Sequence, residues 1–284
     1  MKAVRSGLDR WIEEDAVACG LPQGASIGLV AHPASVDHRA RHALEWLHRT
    51  GRYRLRRLFA PEHGLWGHEQ DMEEVGPSRE PLTGIPVVSL YGNEAASLRP
   101  ARSDLDDLDA LVIDLQDVGT RFYTFVYTLS YVMEAAGEAS LPVVVLDRPN
   151  PIGGERTEGP VLQPALSSFV GRYPLPVRHG LTIGELAKLF CGQFGLRCEL
   201  HVVPMTGWAR TMHFEQTGLP WVPPSPNMPT PRTTLVYPGG CLIEGTNLSE
   251  GRGTTLPFEL VGAPWLAPHE LAARLNARAL PGVL

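Results

Sequence analysis

The sequence predicts an α/β fold: a Rossmann-like parallel sheet with helices on both faces, plus a smaller C-terminal α+β domain that reads as truncated. Three observations carry this expectation. Short apolar runs alternate with segments of helical period, the βαβ pattern of a parallel sheet. Four of those runs stop on clusters of polar residues, as strands do at the edge where open α/β sheets hold ligands. A proline-rich stretch, PSPNMPTPRTT, then separates residues 1–232 from residues 233–284, which gives the expected domain boundary.

Each element follows in order. Residues 8–18 have an amphipathic helical pattern, and 27–31 form a buried strand closed by Pro33. Residues 37–49 carry Ala43, Leu44 and Leu47 on one helical face, and 55–60 are the second strand. The unit is βαβ, so the two strands lie parallel with a right-handed crossover. The second strand runs into APEHGLWGHEQDMEEVGP, a glycine-containing loop dense in histidine and glutamate. Strands are expected at 86–90, 110–114, 142–146 and 201–204, with helices at 123–138 and after Thr182. Thr182 and Glu185 have the spacing of a capping box. The C-terminal part, LVYPGGCLIEGTNLSEGRGTTLPFELVGAPW, reads as glycine-spaced short strands before a final helix in LAPHELAARLNARAL.

Composition excludes several function classes. With 43% hydrophobic and 20% charged residues among 284, the chain can bury a full globular core. A net charge of −6 and the lack of a basic run argue against a nucleic-acid partner. No apolar run approaches the roughly 18 residues of a membrane span. The start, MKAVRSGLDRWIEEDAVACG, lacks the apolar core of a secretory signal, so a cytoplasmic location is expected. Cys19, Cys191, Cys198 and Cys241 show no paired spacing, which predicts reduced thiols rather than disulfides or zinc. Oligomeric state is left open.

The densest polar stretch is LVIDLQDVGTRFYTFVYTLSY, where Asp114, Gln116, Asp117, Arg121 and Tyr123 follow a strand within ten positions. The residues fit the floor of a crevice. They fit equally a helix start at which Asp114 and Asp117 act as caps and Arg121 neutralises them. No GxxxxGK[ST] loop, strand-linked GxGxxG or GxSxG elbow occurs, and Ser225 and Ser249 have no base nearby in sequence. His63 and His68 are five apart in a loop, unlike a helical pair of metal ligands, so no metal is expected. Carboxylate chemistry remains. Glycoside cleavage needs a proton donor at the leaving oxygen and a second group as nucleophile or base. Glu62 beside His63 suits the first role and Glu73 the second, with Asp114 and Asp117 as alternatives.

LFAPEHGLWG, GIPVVSLYG, DLQDVGTRFYTFVYTL, VLDRPNPIGG, EGPVL, SFVGRYPLPVRHGLTIGELA, WVPPSPNMPT and EGTNLSEGRGTTLPFELVGAPW occur in that order. They resemble the signature blocks of the exo-β-N-acetylmuramidase family of NamZ and YbbC type. The resemblance implies hydrolysis of non-reducing terminal N-acetylmuramic acid from peptidoglycan fragments in cell-wall turnover and recycling. It implies a Rossmann-like catalytic domain, a smaller C-terminal domain, a cleft between them and no cofactor. Glu62 corresponds to the general acid/base, with His63 beside it, and Glu73 to the second carboxylate. Muramic acid carries a lactyl carboxylate that a bidentate arginine would suit, and Arg121, Arg148, Arg178 and Arg252 are candidates, Arg252 equally as a loop brace. Asn227 and Asn247 are candidate ligands for N-acetyl or hydroxyl groups, and Tyr123 and Trp221 candidate stacking faces. The chain departs from the family pattern at AHPAS, where an asparagine is common in place of His32, and at Met72, where a glycine is common. It also stops where family members usually continue. The alternative expectation is a non-catalytic muropeptide-binding protein with the same cleft.

Overall fold

The computed structural model describes residues 3–14, 20–67, 78–92 and 94–280. Along the chain lie α1 (Gly7–Glu13), β1 (Ser26–Ala31), α2 (Ala43–Thr50), β2 (Arg54–Ala60), β3 (Ser78–Arg79), β4 (Pro86–Ser89) and β5 (Ala110–Asp114). They are followed by α3 (Phe125–Glu138), β6 (Val143–Leu146), β7 (Glu158–Val161), β8 (Pro176–Arg178), α4 (Ile183–Gly192), β9 (Leu200–Val203), α5 (Pro231–Gly240) and α6 (Pro268–Asn276).

Seven strands form one sheet in the order β3-β4-β2-β1-β5-β6-β9, and all neighbours pair in parallel except the short edge strand β3. The order reverses between β1 and β5, which makes their carboxyl ends the switch point of the sheet. Successive side chains of a strand point to opposite faces. Accordingly Val30, Ile113, Val143 and Val145 pack with Leu129, Val132, Leu186 and Phe190 of α3 and α4. Leu29, Val112, Val144 and Leu146 pack with Leu8, Trp11, Leu44 and Leu47 of α1 and α2. Helices therefore cover both faces, which is why these strands read as unbroken apolar runs. The helix at α4 starts with the expected reciprocal bonds between Thr182 and Glu185.

Three local expectations change. The helix expected from residue 37 begins at Ala43, because Asp37 accepts the backbone N–H groups of Arg39 and Arg41 and holds residues 37–41 in a side-chain-closed turn. The segment expected as short C-terminal strands forms α5, started by the Thr230 cap, and a 3₁₀ turn at Cys241–Gly245; one bridge, Ser249 to Gly262, is its extended pairing. Cys191 and Cys198, unpaired by spacing, come within 3.7 Å Sγ to Sγ as free thiols.

The C-terminal region is built differently from the sheet. It supplies nine of the fourteen exposed large hydrophobic side chains among the described residues, and α6 buries none of its residues. No helix among the described residues is long and apolar enough to cross a membrane.

Candidate functional site

A cavity of about 540 Å³ opens at the carboxyl edge of the sheet, against segments that follow β2, β4 and β5. Its wall begins with Glu62 and His63, directly after β2. His63 sits in the left-handed region at φ 72°, with Gly64 following at 77°, and the Gly64 N–H returns to the Pro61 carbonyl at 3.0 Å. That conformation costs a non-glycine residue roughly 1–2 kcal/mol, and it turns the chain so that residues 62 and 63 both face the cavity. Glu62 is only 5% exposed, and its Oε2 accepts a 2.6 Å hydrogen bond from the Thr124 hydroxyl. Thr124 occupies the N-cap position of α3, where a threonine ordinarily bonds its own helix. Its side chain makes no capping bond and holds Glu62 instead.

Phe122 and Tyr123 continue this wall. Tyr123 meets Phe125 edge-on at 4.8 Å and Tyr237 at 6.0 Å, so the rings are fixed by packing. Burial pushes the Tyr123 phenol well above its usual pKa, opposed by the neighbouring Ser225 hydroxyl and reinforced by Asp117 and Glu62, so the group stays protonated. Tyr91 and Phe169 pack at 5.5 Å on the rim, and Asn227 and Met228 come from the proline-rich loop. The C-terminal region supplies the rest of the lining named here: Tyr237, Cys241, Glu244, Arg252 and Phe258. Burial pushes the Cys241 thiol up to about 12, and its Sγ lies 3.4 Å from Glu244 Oε2 as a donor. Arg252 bonds Glu244 at 2.5 Å and pairs with Glu250 at 2.9 Å, above the Phe258 ring.

The cavity thus gathers Glu62, His63, Tyr123, Asn227 and Arg252 of the residues singled out in the sequence. The others are elsewhere. Asp114, fully buried, holds Arg148 through two bonds, Nε to Oδ1 at 2.5 Å and Nη2 to Oδ2 at 2.7 Å, and Arg148 also donates to the Val36 carbonyl. Gln116 donates to the carbonyls of Asp117 and Pro149, and its N–H donates to His32 Nε2 at 2.8 Å. Burial lowers the His32 pKa to about 3, so the ring is the neutral acceptor this bond requires. Asp117 Oδ2 accepts the Gly119 N–H at 2.7 Å and lies 3.1 Å from His179 Nε2.

Arg121 reaches away from the cavity and donates to the carbonyls of Pro160 and Leu175, tying the β7–β8 pair to the start of α3. Arg178 pairs with Glu158 and the Ile152 carbonyl. Trp221 donates to the Met228 carbonyl and packs edge-on against Phe214. Asn247 is exposed and does not border the cavity. In the structure Asp114, Gln116, Asp117, Arg121 and Arg148 bond within the protein and Asn247 is exposed, and none of these six borders the cavity. Arg252 borders the cavity, but two glutamates meet its charge, which fits the brace reading. Glu73, together with His68 and Met72, lies outside the described residues.

Thr124 and Glu244 also border the cavity and were not singled out in the sequence. Thr124 is hidden by its position, since a threonine before a helix reads as a cap. Glu244 stands in the EGTNL block, which carried the resemblance without a role of its own.

Comparison with known proteins places this geometry in a family. The N-terminal part described as exo-beta-N-acetylmuramidase NamZ, N-terminal, matches residues 27–232, and its C-terminal counterpart matches residues 235–284. The chain belongs to the NamZ family. It is 51% identical over 261 residues, 92% of the chain, to the peptidoglycan beta-N-acetylmuramidase NamZ of Bacillus subtilis (strain 168), and it spans 62% of the length of that curated relative. Two solved structures of DUF1343 family proteins from Bacteroides fragilis NCTC 9343 share the NamZ-family fold. One has a TM-score of 0.89 at 37% identity, covering 99% of this chain and 71% of its own. The other has a TM-score of 0.78 at 31% identity, covering 93% and 68%.

Proposed function

We propose that this chain carries the sugar site of an exo-acting glycosidase that releases non-reducing terminal N-acetylmuramic acid from peptidoglycan fragments. One observation carries the reading: a buried carboxylate, Glu62, aimed by the Thr124 hydroxyl into a cavity of about 540 Å³. That volume lies in the range of small-molecule sites, about 300–1,000 Å³. The name of the B. subtilis relative supports the substrate class.

In this reading Glu62 delivers a proton to the glycosidic oxygen as the bond to the anomeric carbon breaks. Phe122 and Tyr123 offer the sugar an aromatic face. Asn227 supplies amide groups for the N-acetyl substituent, and His63 borders the same cavity. The chemistry consists of proton transfer and attack by water, and it calls for no cofactor.

A chromogenic β-N-acetylmuramide tests the reading. The protein is expected to release the chromophore, and Glu62→Gln to lose about 10²–10⁴-fold in turnover while still binding N-acetylmuramic acid. Binding without release by the unaltered protein would turn the reading into a muropeptide binder. An unchanged rate in the variant would remove Glu62 from the mechanism.

A further inference from the structure

The sheet ends at β9, an edge strand paired with β6 on one side only. Leu200 and Val202 of β9 pack against the cluster that holds Leu186 and Phe190 of α4. The chain passes from α4 to β9 through a tight reversal, and every part of that reversal is anchored. The Gln193 N–H returns to the Leu189 carbonyl at 2.8 Å and the Leu196 N–H to the Phe190 carbonyl at 3.1 Å. Between them Gly195 takes the left-handed conformation at φ 72°, which glycine adopts without strain. The bonds satisfy carbonyls that a helix end leaves open. Phe194 stacks on Tyr173, and Tyr173 on Phe190, each at 4.8 Å. On the far side the Glu199 carbonyl accepts the Val143 N–H at 2.8 Å. Gly137 of α3 lies so close beneath that a Cβ there would come within 1.7 Å of the Arg197 carbonyl oxygen.

This framework holds the sulfurs of Cys191 and Cys198 3.7 Å apart, with both residues half-buried. A disulfide needs about 2.0 Å, so the sulfurs have to close by ~1.7 Å, a distance that rotation of the two side chains can cover. Burial and the Cys191 sulfur push the Cys198 thiol up to about 12, so the reduced form of Cys198 is an uncharged thiol at neutral pH. Cys198 also borders an open surface hollow with Ser140, Leu141 and Glu199, through which a small reagent can reach it.

We propose that Cys191 and Cys198 are a modification site for low-molecular-weight disulfides, which convert them into a reversible disulfide joining the end of α4 to the start of β9. One cysteine loses its proton and attacks the small disulfide, whose S–S bond breaks to release one small thiol and leave a mixed disulfide. The second cysteine loses its proton and attacks the protein sulfur of that mixed disulfide, releasing the other small thiol. The two small thiols take up the two protons, and the protein's two electrons reduce the reagent. The bond closes the ring of residues 191–198 and ties the edge strand to the helix that covers it. It restricts the unfolded chain more than the native one, whose sulfurs are already in contact. The proposal stands apart from the glycosidase reading.

The test incubates the intact protein with excess oxidised glutathione, alkylates it under denaturing conditions and maps the cysteines by mass spectrometry, with dithiothreitol as the reverse arm. Two of the four cysteines are expected to escape alkylation, joined as Cys191–Cys198 with no glutathione attached, and dithiothreitol should restore all four. The thermal midpoint of the oxidised protein should lie about 5 °C above that of the reduced protein. Cys198→Ser should instead keep glutathione on Cys191, since the sulfur that would displace it is gone, and its midpoint should not rise. The proposal is overturned if Cys191 and Cys198 of the unaltered protein keep their thiols or end with glutathione attached. It is equally overturned if the bond joins either of them to Cys19 or Cys241, or if the oxidised midpoint fails to rise.

Discussion

The carboxyl edge of the sheet carries two polar regions made from the same kinds of residue. Around the switch point, Gln116 bonds His32 and Arg148 pairs with Asp114, and Gln116 and Arg148 border a hollow of only about 10 Å³. After β2, Glu62 and His63 border about 540 Å³ together with Tyr123 and the C-terminal wall. Composition does not separate the two regions, since acids, amides and cations are present in both. Room does. At the switch point the side chains fill the crevice that a doubly wound sheet normally leaves for its ligand, and the open space lies instead beneath Glu62.

Breaking this contrast begins with the buried ion pair. Removing one partner of such a pair strands the other charge, at a cost of about 3–5 kcal/mol. Asp114→Asn and Arg148→Met are therefore expected to lose about that much in urea denaturation, while turnover per folded molecule stays close to that of the unaltered protein. Lost turnover at undiminished stability would make the switch-point cluster part of the site.

Thr124→Val should differ in its effect on rate. A hydrogen bond to a charged group contributes about 1.5–3 kcal/mol of stability, so the denaturation midpoint should fall too, but turnover per folded molecule should also drop by about tenfold or more as Glu62 loses its aim. Thr124→Ser, which keeps the donor to Glu62, should recover most of the rate. Equal rates in the valine and serine variants would deprive the Thr124 hydroxyl of its positioning role.

Much of the fold was legible because its signals are local. Buried parallel strands such as Val143–Leu146 have no polar face to mask them, and the capping box before α4 is written within four residues. The turn at residues 37–41 was not legible, since Asp37 could either start a helix or close on itself through Arg39 and Arg41. In the C-terminal region the glycines of VYPGG suggested strands, while the Thr230 cap and the proline after it begin a helix.

The site was half legible for a different reason. A residue's place after a strand can be read along the chain, and this singled out Glu62, His63 and Tyr123, which border the cavity. Its partner across space cannot, and Asp114 has the same sequence context as Glu62 while its carboxylate is closed by Arg148 from 34 positions away. Arg121 went to two carbonyls of the β7–β8 pair for the same reason.

The most direct measurement of this contrast is a crystal structure of the Glu62→Gln variant with N-acetylmuramic acid bound. The account predicts the sugar ring in the cavity that residue 62 and Tyr123 border, with Arg148 still paired to Asp114. A sugar whose lactyl carboxylate sits on Arg148 or Arg121, with the switch-point hollow opened to receive it, would contradict the account.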